Sequence, residues 1–388
     1  MRIRNLTASV GALILALGVV SAPVVARSPQ AASPGRTRHV LLISVDGLHQ
    51  FDVVRCAATG LCPTIARLMA AGTTYTNAST SEPSDSSPGI MALVTGATPK
   101  LTGVYYDDSY DRTMYTPAAQ TASSTQDCSG PAGTETFYAE NIDANAPTCD
   151  PGYVPGGYEP GRLAFTPQLA GAIRSVDAAL GSLVAELRAQ HLLSSTELII
   201  SAKHGQSPLD PAKLAKIGHA ENTVIDAAGV TRAQTTDDDI ALVWLADQSQ
   251  TTTAVNALLA DQAGANTAHT ASVLSGAALE AQFGNPLTDP RTPDLFVEPI
   301  AGTIYSKSGA KVAEHGGFAP DDVHVALIVV PGVRLNGQGH GSGRQGTVVG
   351  TPVTTTQVAP TILELLGLDP AALDGVKIEG TEVLPAGR

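Results

Sequence analysis

The sequence predicts an α/β protein with a doubly wound, mostly parallel sheet, helices on both faces of that sheet, and a small α+β insert. Three nearly unbroken apolar runs, rich in β-branched residues, are typical of strands buried on both faces: residues 40–45, 197–202 and 323–330. A strong helical repeat between Thr166 and Leu187 separates two of these runs. Polar clusters follow the first two runs, where ligands bind in open α/β sheets.

The first segment of the 388-residue chain predicts export. Arg2 and Arg4 precede an apolar stretch too short to span a membrane, and small residues follow up to Ala26. We therefore expect a signal peptide at 1–26 and a disordered lead-in at 27–37, with no membrane anchor and a periplasmic or secreted product. The α/β core then comprises 38–208 and 301–388, and the small insert comprises 209–300.

The net charge restricts the possible binding partners, and the four cysteines allow disulfide bonds. A formal net charge of −13 argues against stable binding of nucleic acid or of an anionic membrane surface. An anionic substrate therefore needs local positive charge. The four cysteines pair by proximity as Cys56–Cys62 and Cys128–Cys149, although three connectivities are open from sequence. The sequence does not define the oligomeric state.

The remaining elements follow in chain order. Pro63 and Gly72 bound a short helix, residues 73–79 predict a short strand, and Pro88 to Thr95 predict a helix. Residues 102–160 show little periodicity and predict an irregular segment. The insert predicts strands at 237–246 and 294–297 and helices at 252–261 and 276–283, with Asp237–Asp239 as a solvated acidic turn. A last amphipathic helix spans 355–366.

Four side chains stand where these elements end and form a candidate site. Asp46 and His204 follow buried strands, His315 precedes the last apolar run, and Ser86 lies at a helix N-terminus, where unpaired N–H groups favour an alkoxide or a phosphate. Three of them have a plain alternative: a turn residue for Asp46, an N-cap for the serine and a structural role for His204. Together, oxygen and imidazole ligands suit zinc or a similar divalent ion, which would activate the Ser86 hydroxyl.

These motifs resemble the alkaline phosphatase superfamily, and most closely its type I phosphodiesterase/nucleotide pyrophosphatase branch. The resemblance rests on five motifs: Leu-Ile-Ser-Val-Asp46-Gly, Ser86 ten residues before Gly96, Ile-Ile-Ser-Ala-Lys203-His204-Gly, Glu-His315-Gly-Gly-Phe and the segment Thr356–Gly367. The resemblance implies an alkaline-phosphatase-like fold, two zinc ions and a covalent phosphoserine intermediate. It implies that Asp46, Ser86 and His204 bind one metal, that Ser86 is the nucleophile, and that His315 binds the second metal.

The chain departs from the family pattern at two places. Lys203 stands where the family has Asp, and Glu159 can replace a family Asp whose histidine partner, four residues on, is missing. A lysine ammonium ~4 Å from a divalent ion is repelled by about 8 kcal/mol at an effective dielectric of 20. Lys203 therefore points away, is neutral, or substitutes for a metal's positive charge. We favour the last, which makes Lys203 a catalytic candidate beside one or two ions.

The sequence thus predicts an exported, metal-dependent phosphoric ester hydrolase that cleaves phosphodiesters of small molecules, with Ser87 as the reserve nucleophile. The alternative is a catalytically weak or inactive binding protein that keeps the fold with an incomplete metal site. A sulfatase is disfavoured, because Ile90 stands where that class needs Arg in its Cys/Ser-x-Pro-x-Arg motif.

Overall fold

The structure is a computed structural model, and it describes residues 37–115, 132–137, 157–306, 311–336 and 346–386. The predicted signal peptide, most of the lead-in, and Cys128 and Cys149 lie outside these residues. Within the described ranges no single helix is long and apolar enough to cross a membrane. The helices Gln50–Ala58 and Pro63–Ala71 meet that test only as a pair, across a bend of 106°.

Fifteen strands are formed within the described residues: β1 His39–Ser44, β2 Thr73–Tyr75, β3 Ala78–Ser79, β4 Asp108–Tyr115, β5 Ala132–Phe137, β6 Thr196–Ser201, β7 Ala215–Lys216, β8 Arg232–Asp237, β9 Ala241–Leu245, β10 Thr270–Ser275, β11 Leu295–Pro299, β12 Thr303–Ile304, β13 Leu327–Pro331, β14 Thr347–Val349 and β15 Val353–Thr354. The α-helices of the same ranges are α1 Gln50–Ala58, α2 Pro63–Ala71, α3 Ser86–Thr95, α4 Pro99–Thr102, α5 Pro167–Ala189, α6 Ala220–Ala227, α7 Thr251–Ala263, α8 Gly276–Gln282, α9 Pro320–Val323, α10 Gly332–Asn336, α11 Val358–Leu365 and α12 Asp374–Glu379.

The central sheet has the strand order β1-β6-β13-β2-β14. Strands β1 and β6 are parallel, as are β2 and β14, and β13 runs antiparallel to both of its neighbours. Four of the five strands therefore point the same way, as the predicted mostly parallel sheet requires. β13 joins the two parallel pairs.

Alternating side chains of the central strands enter two separate cores, because successive residues of a strand face opposite sides of the sheet. Leu198 and Ile200 of β6 pack in the core that α1, α2 and α5 cover, whereas Ile199 packs in the core that α3 and α11 cover. The sheet thus has helices on both faces. This arrangement explains why its strands read as continuous apolar runs.

A second sheet, with the order β10-β11-β9-β8, is antiparallel throughout. One face packs Val243 and Leu245 against α6 and α7. The other face packs Leu242, Trp244 and Phe296 against Tyr105, Tyr106 and α8. The sheet and its helices lie within 209–300, and the treatment of that range as an insert stays a prediction.

Most predicted elements occur, and three predictions need correction. The last apolar run is not one strand over 323–330: Val323 ends α9, and β13, which is antiparallel, begins only at Leu327. Part of the segment 102–160 is regular, because β4 pairs with β5. The run Asp237–Asp239 is not solvated: the side chain of Asp237 is 9 % exposed, and Asp239 is buried.

A disulfide joins Cys56 of α1 to Cys62, the residue before α2, with Cα atoms 5.4 Å apart. This bond is one of the two predicted by proximity. It closes the bend between the two helices that cover one face of the central sheet.

Candidate active site

The parallel register of β1 and β6 places two predicted residues side by side. Ser44 pairs with Ser201, so Asp46 and Lys203 each lie two residues beyond the paired strand ends. The Lys203 Nζ atom is 3.6 Å from Asp46 Oδ2. The Asp46 side chain is 65 % exposed, whereas that of Lys203 is 9 % exposed. Gly47, with a φ of 63°, turns the chain away directly after Asp46.

His204 lies at the centre of the cluster. Its Nδ1 is 2.8 Å from the carbonyl oxygen of Gly205, so Nδ1–H donates and Nε2 presents a lone pair. That Nε2 atom is 3.2 Å from Ser86 Oγ and 3.4 Å from Asp46 Oδ1. Burial, followed by the neighbouring His315, lowers the pKa of His204 to about 4. The ring is therefore neutral at pH 7 and accepts a proton or a cation at Nε2.

Helix α3 begins at Ser86, two residues earlier than its predicted first residue Pro88, and its N-cap is Asp85 rather than either serine. Asp85 Oδ1 accepts a hydrogen bond from the backbone N–H of Ser87 at 3.3 Å. Ser86 is buried in the first turn, with its hydroxyl toward His204. The helix N-terminus thus presents the positive end of its dipole beside the predicted nucleophile.

His315 stacks on His204, with the ring centroids 4.0 Å apart. Its Nδ1 lies 3.2 Å from Asp85 Oδ2. Burial lowers the pKa of His315, but the Asp85 carboxylate and the more distant Asp238 and Asp322 outweigh that effect and raise it. The hydroxyl of Tyr106 donates to the backbone carbonyl of His315 at 2.9 Å and so fixes the segment that carries this ring.

A buried network holds the chain just after His204. His49 Nε2 lies 2.9 Å from the backbone nitrogen and 3.1 Å from the backbone oxygen of Gln206, and the protonated ring donates to that oxygen from Nε2 and to Asp52 Oδ2 from Nδ1 at 3.0 Å. The Tyr158 hydroxyl donates to the other Asp52 oxygen at 2.7 Å. Burial lowers the pKa of His49, but Asp52 overcomes that effect and the net shift is upward.

The donor atoms fit one divalent ion better than two. Asp46 Oδ1, Ser86 Oγ and His204 Nε2 converge, and they are the oxygen and imidazole donors that zinc accepts. Lys203 places a cation against the other Asp46 oxygen. Glu159 is exposed, and within the described residues it makes no hydrogen bond or ion pair with Asp46, Ser86, His204 or His315.

The structure therefore brings together all five predicted side chains, Asp46, Ser86, Lys203, His204 and His315. Sequence reasoning missed Asp85, which touches both α3 and His315, and it missed the network of His49, Asp52 and Tyr158. The signal for Asp85 was its position directly before Ser86, where an N-cap residue is expected. His49 and Tyr158 are distant in sequence, and no local pattern pairs them.

Comparison with known proteins gives a family match. A model of the family described as type I phosphodiesterase / nucleotide pyrophosphatase matches residues 40–160 and 157–318, more than half of the chain. A search of curated proteins finds no match.

Solved structures have a similar fold. An inactive form of murine ectonucleotide pyrophosphatase / phosphodiesterase 5 in complex with AMP is similar with a TM-score of 0.56 and 15% identity, covering 86% of this chain and 96% of that chain. The human protein of the same description is similar with a TM-score of 0.55 and 15% identity, covering 85% and 95%.

Proposed function

Since this chain belongs to the type I phosphodiesterase/nucleotide pyrophosphatase family of the alkaline phosphatase superfamily, we propose that it is an exported, metal-dependent hydrolase of small phosphodiesters that acts through a covalent phosphoserine. The observation that carries the proposal is the contact of Ser86 Oγ with His204 Nε2, 3.2 Å apart at the first turn of α3. A hydroxyl in this position attacks phosphorus in line, and the P–O bond to the leaving alcohol breaks. The serine then carries the phosphoryl group with its remaining ester until water releases it, and the positive end of the helix dipole stabilises the charge on the phosphoryl oxygens.

Asp46, Ser86 and His204 are the residues that would hold the ion, with His315 available for a second ion. A bound zinc would lower the pKa of the Ser86 hydroxyl and would neutralise negative charge on a phosphoryl oxygen. The protein's own groups act alongside it. His204 points Nε2 at the Ser86 hydroxyl and so orients it, and the Lys203 ammonium lies beside Asp46, where the phosphate group enters.

A second candidate function is a binding protein with little or no turnover. The observation that favours it is the Lys203–Asp46 pair, 3.6 Å apart, which sets a cation against a predicted metal ligand. AMP is a suitable probe, because one of the similar solved structures is a complex with AMP. Calorimetric titration with AMP measures binding whether or not turnover occurs.

The test compares the purified protein with its Ser86→Ala and Ser87→Ala variants on bis(p-nitrophenyl) phosphate and p-nitrophenyl phosphate, with zinc and with a chelator. We expect zinc-dependent turnover that prefers the diester. Ser86→Ala should lose at least ~100-fold in kcat, because the covalent step is removed, and Ser87→Ala should stay within ~5-fold.

Rapid quenching with a diester labelled at phosphorus should also trap the phosphoryl group, with its remaining ester, on the wild-type protein and not on Ser86→Ala. Absence of turnover under every metal condition, together with binding of AMP, would support the binding protein instead. Equal loss in both serine variants would remove Ser86 from its assigned role.

A further inference from the structure

A second polar cluster lies in the other sheet and contains none of the residues proposed above. His219 is the N-cap residue of α6, Glu221 lies in the first turn of that helix, and Asp237 ends β8. One ligand atom from each of these three side chains lies within 4.8 Å of the other two. Within the described ranges, no other group of three or more His, Cys, Asp or Glu side chains meets this criterion.

The Glu221 carboxyl group is buried without a hydrogen-bond donor. Its residue is 0% exposed, and neither Oε1 nor Oε2 has a hydrogen-bond partner among the described residues. The neighbouring ionisable group is a second carboxyl group, that of Asp237, whose side chain is 9% exposed. Two buried carboxyl groups side by side are unfavourable unless a positively charged species, or a proton, lies between them.

The other two members, His219 and Asp237, contact each other directly, and Asn222 supports Asp237. His219 Nδ1 lies 2.7 Å from Asp237 Oδ2, and the amide of Asn222 donates to the same oxygen at 3.3 Å. The His219 side chain is 49% exposed, so the cluster opens to solvent on that side. An ion can therefore enter past His219 and reach the buried carboxyl groups.

We propose that His219, Glu221 and Asp237 form a second, structural site for a zinc-like divalent cation, independent of the hydrolytic site. One imidazole and two carboxylates with an open position to water are a donor set that zinc accepts. Calcium and magnesium are disfavoured, because they take oxygen ligands almost exclusively. The ion would tie the start of α6 to the end of β8, two elements that pack on the same sheet.

The test separates this site from the hydrolytic one by using a full-length Asp46→Asn/His204→Ala background. In that background we expect titration with Co²⁺ to produce visible d–d absorption at one ion per chain. Zn²⁺ should displace the cobalt and raise the melting temperature. Glu221→Gln in the same background should weaken Co²⁺ binding at least ~10-fold, which is about 1.4 kcal/mol. Glu382→Gln, the same change at an exposed position, should bind like the parent.

The stability of Glu221→Gln also shows whether a loss of Co²⁺ binding is caused by misfolding. Removing one of two facing carboxyl groups should leave the metal-free variant at least as stable as its parent, while its melting temperature no longer responds to Zn²⁺. No cobalt spectrum in the background, or the same affinity in Glu221→Gln, would overturn the proposal and leave a proton shared by the carboxyl groups. Because the background lacks two hydrolytic-site residues, neither result depends on whether the hydrolase proposal holds.

Discussion

At the residue scale, the site is defined by the neighbourhood of Asp46. Its two oxygens face different partners: Oδ1 faces His204 at 3.4 Å and Oδ2 faces Lys203 at 3.6 Å. An ammonium group and a divalent ion compete for the same carboxylate, and their mutual repulsion is of the order of several kcal/mol at these distances. We therefore expect the identity of residue 203 to control how much metal the site holds.

We predict that Lys203→Asp raises the metal content of the purified protein by about one zinc per chain, because a cation is replaced by a ligand. Lys203→Met should give a smaller rise, since it removes the repulsion without adding a donor. Elemental analysis after gel filtration, with calorimetric titration of zinc, measures both. Lys377→Asp at an exposed lysine is the control, and equal metal content in wild type and Lys203→Asp would contradict the substitution of charge for metal.

The sequence predicted the site residues that follow a local pattern and missed those that depend on folding. Asp46 and His204 were found because a polar residue directly after a buried apolar run is visible in the chain itself. Asp237 was assigned to a solvated turn, because consecutive charges usually face water. The apolar residues that follow, which form the fully buried β9 from Ala241, pointed instead to a turn that lies against a core. Glu221 gave no local sign of burial, since a Glu in a first helical turn is ordinary.

At the element scale, helix α3 is held close to the chain that follows β6. A Cβ atom on Gly89 would overlap the backbone carbonyl of Lys203, so the glycine permits this approach. The approach in turn sets the 3.2 Å contact between Ser86 and His204. The sequence predicted the helix but not this contact, because hydrophobic periodicity says nothing of which glycine faces a backbone.

We predict that Gly89→Ala pushes α3 away from residue 203 and lowers kcat by about 100-fold, as expected for a displacement of ~1 Å, with a loss of ~1–3 kcal/mol in unfolding free energy. Diester turnover and urea unfolding measure the two effects. Gly171→Ala, in α5 with open space at its Cβ position, should instead stabilise by about 0.5–1 kcal/mol and keep full activity. Unchanged kinetics in Gly89→Ala would show that the close approach is not required.

At the scale of the whole molecule, the network of His49, Asp52 and Tyr158 connects distant segments. It ties α1 to the residue after Lys203-His204-Gly205 and to the chain that leads into α5. These contacts span more than 100 residues of sequence, with separations of 157 and 106. The fold class was predictable from the apolar runs, but a network of this span needs the assembled sheet.

This network predicts a pH-dependent stability. The folded-state pKa of His49 is raised, so the folded protein binds that proton more tightly than the unfolded chain, where histidine titrates near ~6.5. The His49–Asp52 contribution is therefore fully present below ~6.5 and is lost as pH rises through the folded-state pKa. His49→Gln should cost about 1–3 kcal/mol at pH 5.5 and less at pH 9.

Urea unfolding at pH 5.5, 7 and 9 measures this difference, with His39→Gln at the exposed start of β1 as the control. The control should show little change with pH. A cost of His49→Gln that grows toward pH 9 would contradict the assigned direction of the shift.

The position of β13 has a consequence for biosynthesis. The strand lies between two parallel pairs of the central sheet. One pair, β1 and β6, leads to Asp46 and His204. The other pair contains β2, and the chain after β2 leads to Ser86. The residues of β13, Leu327–Pro331, leave the ribosome long after those of both β1 and β2. A chain that stalls before residue 327 therefore lacks the strand that joins the two pairs, and we expect Ser86 not to be held beside Asp46 and His204.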